Sequence, residues 1–295
     1  MKIRLISGTC YIALLAAFFC LKIFVHDFCF DLLIYAFSLI GTFEMLRAVK
    51  DKITVSEKIV VWVFTAVCIP ACAVFEYFFE KGMHISALCV FVLAILLLAL
   101  LVFEHEETSL EIIGVSLFSA VYPTLLLCLL VIANHAKSPF GLEKFGFNSN
   151  LLILFIFVVS PCADSIAYVF GRFLRKRFPK KMAPKLSPNK TVIGGIGGLV
   201  GGVLGAVAIY FIYNAVCGSF EQMYIWLPVY MGIGLLASLA TELGDLVESC
   251  IKRKANIKDM GNIMPGHGGV LDRIDGTLFA AIAVYVIFML VCTFM

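Results

Sequence analysis

The sequence predicts an all-α polytopic membrane protein of about nine transmembrane helices with a cytoplasmic N-terminus. Three observations carry that reading. The chain is 62% hydrophobic and only 15% charged over 295 residues, with a mean hydropathy of +1.02. Soluble domains are nearer half apolar and a quarter charged. Apolar stretches long enough to cross a bilayer recur along the whole chain. Its basic residues then fall almost entirely on one side of those stretches.

A spanning helix needs roughly 20 apolar residues. The candidates are 5–25, 28–46, 59–79, 84–103, 110–134, 150–170, 191–216, 223–249 and 276–295. The first imitates a signal peptide, with a basic start and an apolar run. Phe18 and Phe19 stand before Cys20 where a cleavage site needs small residues, so it reads as a membrane helix. The second and eighth depart most from a plain span, since each carries acids. With the N-terminus inside, 19 of the 23 Lys and Arg lie inside; Lys22, Lys81, Lys137 and Lys144 are the four outside. That bias supports nine crossings and places the loops 171–190 and 250–275 on the cytoplasmic side.

Net charge is +3, too little to argue for a nucleic-acid partner. Eleven Cys are present, most of them inside apolar runs and none in a CxxC pair. They read as small buried hydrophobes, reduced and structural.

Charge inside spans is costly, about 2.5–3.5 kcal/mol for an Asp at a helix centre, and so needs a reason. Asp164 sits in SPCADSIAYVFGR, and Glu44 ends the second span. Glu242, Asp245 and Glu248 sit in TELGDLVES. Residues three and four apart share a helix face, so Asp245, Glu248 and Ser249 point one way. Asp272 and Asp275 of DRID repeat that spacing if a helix begins there. Acids at a helix N-terminus also complement its dipole, which explains DRID without any metal. Three acids within an apolar segment are harder to explain that way. Clustered carboxylates repel unless a cation lies between them, and hard oxygens with few His or Cys suit Mg²⁺.

The loop GRFLRKRFPKKMAPKLSPNKT holds eight Lys and Arg. Topology or anionic lipid accounts for most of them. In SPNKT, Ser187, Lys190 and Thr191 form a compact turn at a helix start, which makes an anion site. The helix that follows is Gly-rich. Gly194, Gly198 and Gly202 form one stripe, and Gly197, Gly201 and Gly205 a second. Such stripes let helices pack closely, within the chain or in a homodimer. In PGHGG the glycines allow the backbone near a ligand, and His267 is the only His in a charged cluster. Acids for a divalent cation and cations for phosphates, in an apolar body, point to phosphoryl chemistry at the cytoplasmic membrane surface.

The run SCIKRKANIKDMGNIMPGHGGVLDRID (249–275) resembles the signature of the phosphatidate cytidylyltransferases, also called CDP-diacylglycerol synthases. The matching positions are Ser249, Lys252, Arg253, Lys258, Asp259, Gly261, Pro265, His267, Gly268, Gly269, Asp272, Arg273 and Asp275. ADSIAYVFGR, KLSPNKT and GDLVES, upstream and in order, are similar to the family's other stretches. The resemblance covers roughly 160–276. It implies a transfer of CMP from CTP to phosphatidate, giving CDP-diacylglycerol for phospholipid synthesis and releasing pyrophosphate. It implies Mg²⁺, with a second, monovalent cation left open. Asp245, Asp272 and Asp275 are then the expected metal ligands, and Lys190 and Arg273 the catalytic cations. Ser187, Thr191, Ser249, Lys252, Arg253, His267, Gly268, Gly269 and Arg172 are expected to bind substrate, and Asp164 to lie near them. The expected division is N-terminal transmembrane helices over 1–150 and a catalytic transmembrane region over 151–295. The expected location is a bacterial inner membrane, with the site facing the cytoplasm.

Three positions depart from the family pattern. Ile193 stands where a Glu is usual, Arg175 where a Gly is frequent, and Met264 replaces another apolar residue. Ile193 is the serious one, because a missing carboxylate bears on metal binding. The competing readings are a related CTP-dependent lipid or polyprenol kinase and a catalytically inactive membrane scaffold. A transporter would spread its acids along a path across the membrane, whereas here they gather at the cytoplasmic end.

Overall fold

The computed structural model describes residues 2–137, 148–217, 223–266 and 268–294. Among these, nine α-helices are long and apolar enough to cross a membrane. They are α1 (Lys2–Phe24), α2 (Phe28–Ala48), α3 (Val55–Phe79), α4 (Gly82–Phe103), α5 (Leu110–His135), α6 (Ser149–Leu174), α7 (Val192–Cys217), α8 (Met223–Lys254) and α9 (Leu271–Phe294). The protein is an all-α integral membrane protein, and each predicted span has its helix. Lys144 and His267 lie outside the described residues.

Two boundaries differ in a way that matters. α8 runs five residues past its predicted end, carrying Lys252 and Arg253 within the helix. α9 starts five residues before its predicted start, so Asp272 and Asp275 both lie in its first two turns. Charged residues at a helix end are compatible with a helix that outruns the apolar core, which a hydropathy window cannot register. The loop 171–190 also holds an unpredicted antiparallel hairpin, β1 (Lys181–Ala183) with β2 (Ser187–Thr191). SPNKT is thus a strand leading into α7, rather than a compact turn.

The chain packs as two compact units: residues 1–135 with 254–273, and residues 136–253 with 274–295. Packing therefore groups the loop after α8 with the N-terminal helices.

In the first unit, α2, α3 and α5 form the core, with Phe30, Ile34, Val61, Cys68, Leu127 and Val131 buried. Polar side chains inside it answer one another. The hydroxyls of Ser38, Thr42, Thr65 and Thr124 lie 3.0–3.4 Å apart, so none needs water. At the start of α2, Asp31 contacts His135 at 2.6 Å and accepts from Asn134 at 2.9 Å. Glu57 and Thr54 form a capping box that starts α3 before its apolar run. Helix α4 leaves most of its apolar side chains exposed, the condition of a lipid-facing helix.

Cys68, Cys72 and Cys128 are buried free thiols, as small hydrophobes should be. Cys10 and Cys20 depart from that expectation: they lie exposed along α1, a helix with few buried positions.

In the second unit the two glycine stripes do separate work. A Cβ on Gly197 or Gly201 would strike Phe170, Ile166 or the Cys162 carbonyl of α6. One on Gly202 would strike Ser238 and the Gly234 carbonyl of α8. The stripes thus bring α7 against both α6 and α8. α8 meets α9 the same way, with Gly244 against Phe279 and Gly276 against Thr241.

Candidate active site

The second unit holds a cleft of about 680 Å³, lined by α6, the hairpin, α7 and α8. α6 brings Asp164, Tyr168 and Arg172; β2 brings Lys190 and Thr191; α8 brings Glu242 and Asp245. Each position has a local cause. Thr191 ends β2 and caps α7, its Oγ1 accepting the Gly194 N–H at 3.1 Å. Lys190 precedes that cap and so is held at the helix start, where its ammonium pairs with Asp245. Gly198 leaves the space that the Glu242 carboxylate fills. Arg172 Nη1 donates to the Tyr168 hydroxyl at 2.6 Å, which holds the guanidinium at the cleft.

Asp275, on α9, lies within electrostatic reach of Asp245 and Asp164 and meets Glu248. Glu248 is fully buried and pairs with Lys252 at 2.5 Å. Asp164, Glu242, Asp245, Glu248 and Asp275 thus gather around two ammonium groups, those of Lys190 and Lys252. That acid excess in an apolar setting favours a divalent cation.

Among the described residues, no group of three Asp, Glu, His or Cys side chains is arranged to hold a metal by itself. Mg²⁺ asks for less: one or two carboxylates, with waters and substrate phosphates completing its shell. Asp245 and Asp275 fit that demand as a hard-oxygen pair.

The first unit organises the glycine loop. Asp272 Oδ2 accepts from three backbone N–H groups, Met260 at 2.8 Å, Gly261 at 3.4 Å and Gly269 at 2.7 Å. The Asp272 carboxyl group presses on Gly268, whose φ of +89° disfavours any side chain. Met264 N–H donates to the Gly268 carbonyl at 2.9 Å and closes the turn. The loop bounds a cavity of about 590 Å³ that Lys258, Asp259, Asn262 and Arg273 line.

The expected site residues therefore divide. Asp164, Arg172, Lys190, Thr191 and Asp245 share one cleft, with Asp275 beside Asp245. Gly268 and Arg273 share the loop cavity, which Asp272 shapes. Ser187, Ser249, Lys252 and Arg253 are outside both linings. Ser187 pairs with Ala183 in the hairpin, and Arg253 Nε donates to the Leu186 carbonyl at 3.4 Å.

A sequence profile described as the cytidylyltransferase family matches residues 2–291 of this chain. The chain belongs to the cytidylyltransferase family. A protein of Bacillus subtilis (strain 168) named phosphatidate cytidylyltransferase is 33% identical over 284 residues, 95% of this chain and 94% of that protein. One of the same name from Staphylococcus aureus (strain COL) is 42% identical over 127 residues, 43% of this chain and 45% of that protein. Another, from Brucella abortus biovar 1 (strain 9-941), is 41% identical over 146 residues, 49% of this chain and 48% of that protein.

In this member of the cytidylyltransferase family, two residues of α2 also hold the glycine loop: Glu44, which the sequence marked only as an acid ending the second span, and Arg47, which it left among the topological charges. Glu44 is fully buried; its Oε1 accepts from Val270 N at 3.0 Å and its Oε2 from Leu271 N at 2.9 Å. Gly261 and Gly269 leave room for its carboxylate. One turn on, Arg47 Nη2 donates to the Met260 carbonyl at 2.7 Å. The only available signal was an acid one turn before a base at the end of a span, which also reads as ordinary topology.

Proposed function

We propose that this chain is a CTP:phosphatidate cytidylyltransferase of the cytoplasmic membrane. A phosphate oxygen of phosphatidate attacks the α-phosphorus of CTP. The bond from that phosphorus to the bridging oxygen of the β-phosphate breaks, and pyrophosphate leaves with CDP-diacylglycerol formed. The nucleophile is already an anion, so the reaction needs no strong base. Its difficulty is the approach of two anions, which fixed positive charge offsets.

The observation that carries this reading is the Lys190–Asp245 pair in a cleft among apolar helices. Lys190 and Arg172 bind and orient phosphate oxygens, and the α7 N-terminus adds its backbone N–H groups. Asp245 and Asp275 would hold Mg²⁺, which supplies charge neutralisation at the phosphates. Asp272 keeps the glycine loop in the shape that presents Arg273. The positive-inside bias of the charged loops supports a site on the cytoplasmic side, where CTP is made.

The test is purified protein in detergent with Mg²⁺, CTP carrying label at either the α- or the γ-phosphate, and as acceptor either phosphatidate or a lipid alcohol (diacylglycerol or polyprenol). Label from the α-position in the lipid supports the transferase. Label from the γ-position identifies a lipid kinase instead, and no labelled lipid at all overturns both enzymatic readings.

A further inference from the structure

A second cavity of the same unit, about 630 Å³, lies between α8 and α9 and is almost wholly apolar. Leu239, Leu243, Ile282, Ala283, Val286 and Leu290 are among the residues that line it. It does not end blindly. Met182 of β1 and Glu242 of α8 line both this groove and the polar cleft of Lys190. The two spaces thus meet at one level of the helix pair. From there the groove descends along α9.

Its length can be read from the helices. Gly276 packs on Thr241, which neighbours Glu242, so that level of α9 marks the polar end. The lining itself runs from Leu246 to Leu236 on α8, about 15 Å, and from Ile282 to Leu290 on α9, about 12 Å, at 1.5 Å per residue. One leaflet of the hydrocarbon core is about 15 Å, half of roughly 30 Å. The groove is long enough for an acyl chain entering from the same leaflet. A cleft that presents Lys190 and Arg172 at one end and an apolar furrow leading from it suit an amphiphile with a phosphate headgroup.

We infer that the α8/α9 groove is the acyl-chain subsite for the lipid phosphate whose headgroup enters the cleft at Lys190. This rests on the phosphatidate reading given above. It adds where the lipid lies and which residues read its chain. Ala283 and Val286 set the groove's width below the polar level, so they govern which chains enter.

The first arm of the test needs no turnover. Phosphatidate and phosphatidylcholine, each with a mid-chain diazirine, are photolysed with the protein in nanodiscs, and labelled peptides are identified by mass spectrometry. Phosphatidate is expected to label α8 and α9 peptides at least fivefold above phosphatidylcholine, and unlabelled phosphatidate to compete. Equal labelling by both lipids would make the groove a bulk-lipid surface and overturn the inference. The second arm measures KM in mixed micelles for dioctanoyl and dioleoyl phosphatidate. Ala283→Trp and Val286→Trp are expected to raise KM for the long chain about tenfold, with the short-chain and CTP values within twofold of wild type. Equal changes for both chain lengths, or no change, would count against it. A variant inactive with both lipids is replaced by Val286→Ala, whose widened groove is expected to lower KM for branched-chain over straight-chain phosphatidate; an unchanged ratio counts against the inference. Wild-type protein that makes no lipid product from phosphatidate overturns the functional reading, whereas the labelling ratio judges the groove by itself.

Discussion

Glu44 of α2 accepts the backbone N–H of Leu271 at 2.9 Å, and by its other oxygen that of Val270 at 3.0 Å. A carboxylate more than 220 residues away in sequence thus caps the start of α9. Backbone N–H groups at a helix start have no partner of their own, and a buried carboxylate answers two of them while matching the dipole. The N-terminal helices, where the recognisable motifs are absent, therefore help fix the loop that carries Gly268 and the start of α9 that carries Asp272.

Glu44→Ala should accordingly lower activity and stability together. Hydrogen bonds to a charged group are worth about 1.5–3 kcal/mol each, and here two donors are left buried. Glu44→Gln keeps one acceptor and turns an NH₂ towards the other donor, so it should fall between. Thermal unfolding in detergent, read beside kcat, checks the order wild type, Gln, Ala. Wild-type stability in Glu44→Ala would remove Glu44 from this role.

Lys190 makes a separate claim, on catalysis rather than folding. It stands at the surface of the cleft, so Lys190→Ala should leave the protein folded. Loss of one preorganised charge at a transition state costs about 2.7–4 kcal/mol, or 10²–10³ in kcat. Steady-state kinetics on the variant, with a matched elution profile, checks this. Arg at the same position presents a planar fork in place of a point charge and should restore only part of the rate.

The spans were legible because hydropathy is a property of whole segments, which the nine long helices among the described residues display plainly. Of the candidate site, a shared helix face was legible where residues are close in sequence: TELGDLVES puts Asp245 and Glu248 on one face, as α8 does. The roles of Glu44 and Arg47 stayed hidden because their partners are backbone groups of a distant segment, and no side-chain pattern records such a bond. The hairpin was hidden for a related reason. Lys181–Ala183 and Ser187–Thr191 are too short and too polar to show alternation, and Pro188 argues against a strand unless it lies at an edge, as β2 does.

The carboxylates Asp245 and Asp275 lead to a prediction about metal dependence. Chelation with EDTA should abolish turnover, and added Mg²⁺ should restore it. Asp245→Asn and Asp275→Asn each remove one charged oxygen donor from a site that gives the metal few protein ligands. Each should raise the Mg²⁺ concentration for half-maximal rate by about 10–100-fold, the range that even outer ligands command. Mg²⁺ titrations at fixed CTP measure it. A normal Mg²⁺ midpoint in both variants would place the metal elsewhere.

The glycines of α7 give the last prediction, and it separates two packing faces. Gly202 lies against the Gly234 carbonyl and Ser238 of α8, where a Cβ would meet backbone as well as side chain. Backbone cannot rotate away, so Gly202→Val should cost at least the 1–3 kcal/mol typical of overpacking and reduce the yield of monodisperse protein. Gly205 faces Cys162, whose side chain would be about 3.1 Å from an added Cβ. That contact needs a shift of only a few tenths of an ångström, so Gly205→Ala should be nearly silent. Size-exclusion profiles and unfolding temperatures of the two variants decide the point. Similar behaviour of both would mean that α7 is not held by close backbone approach to α8.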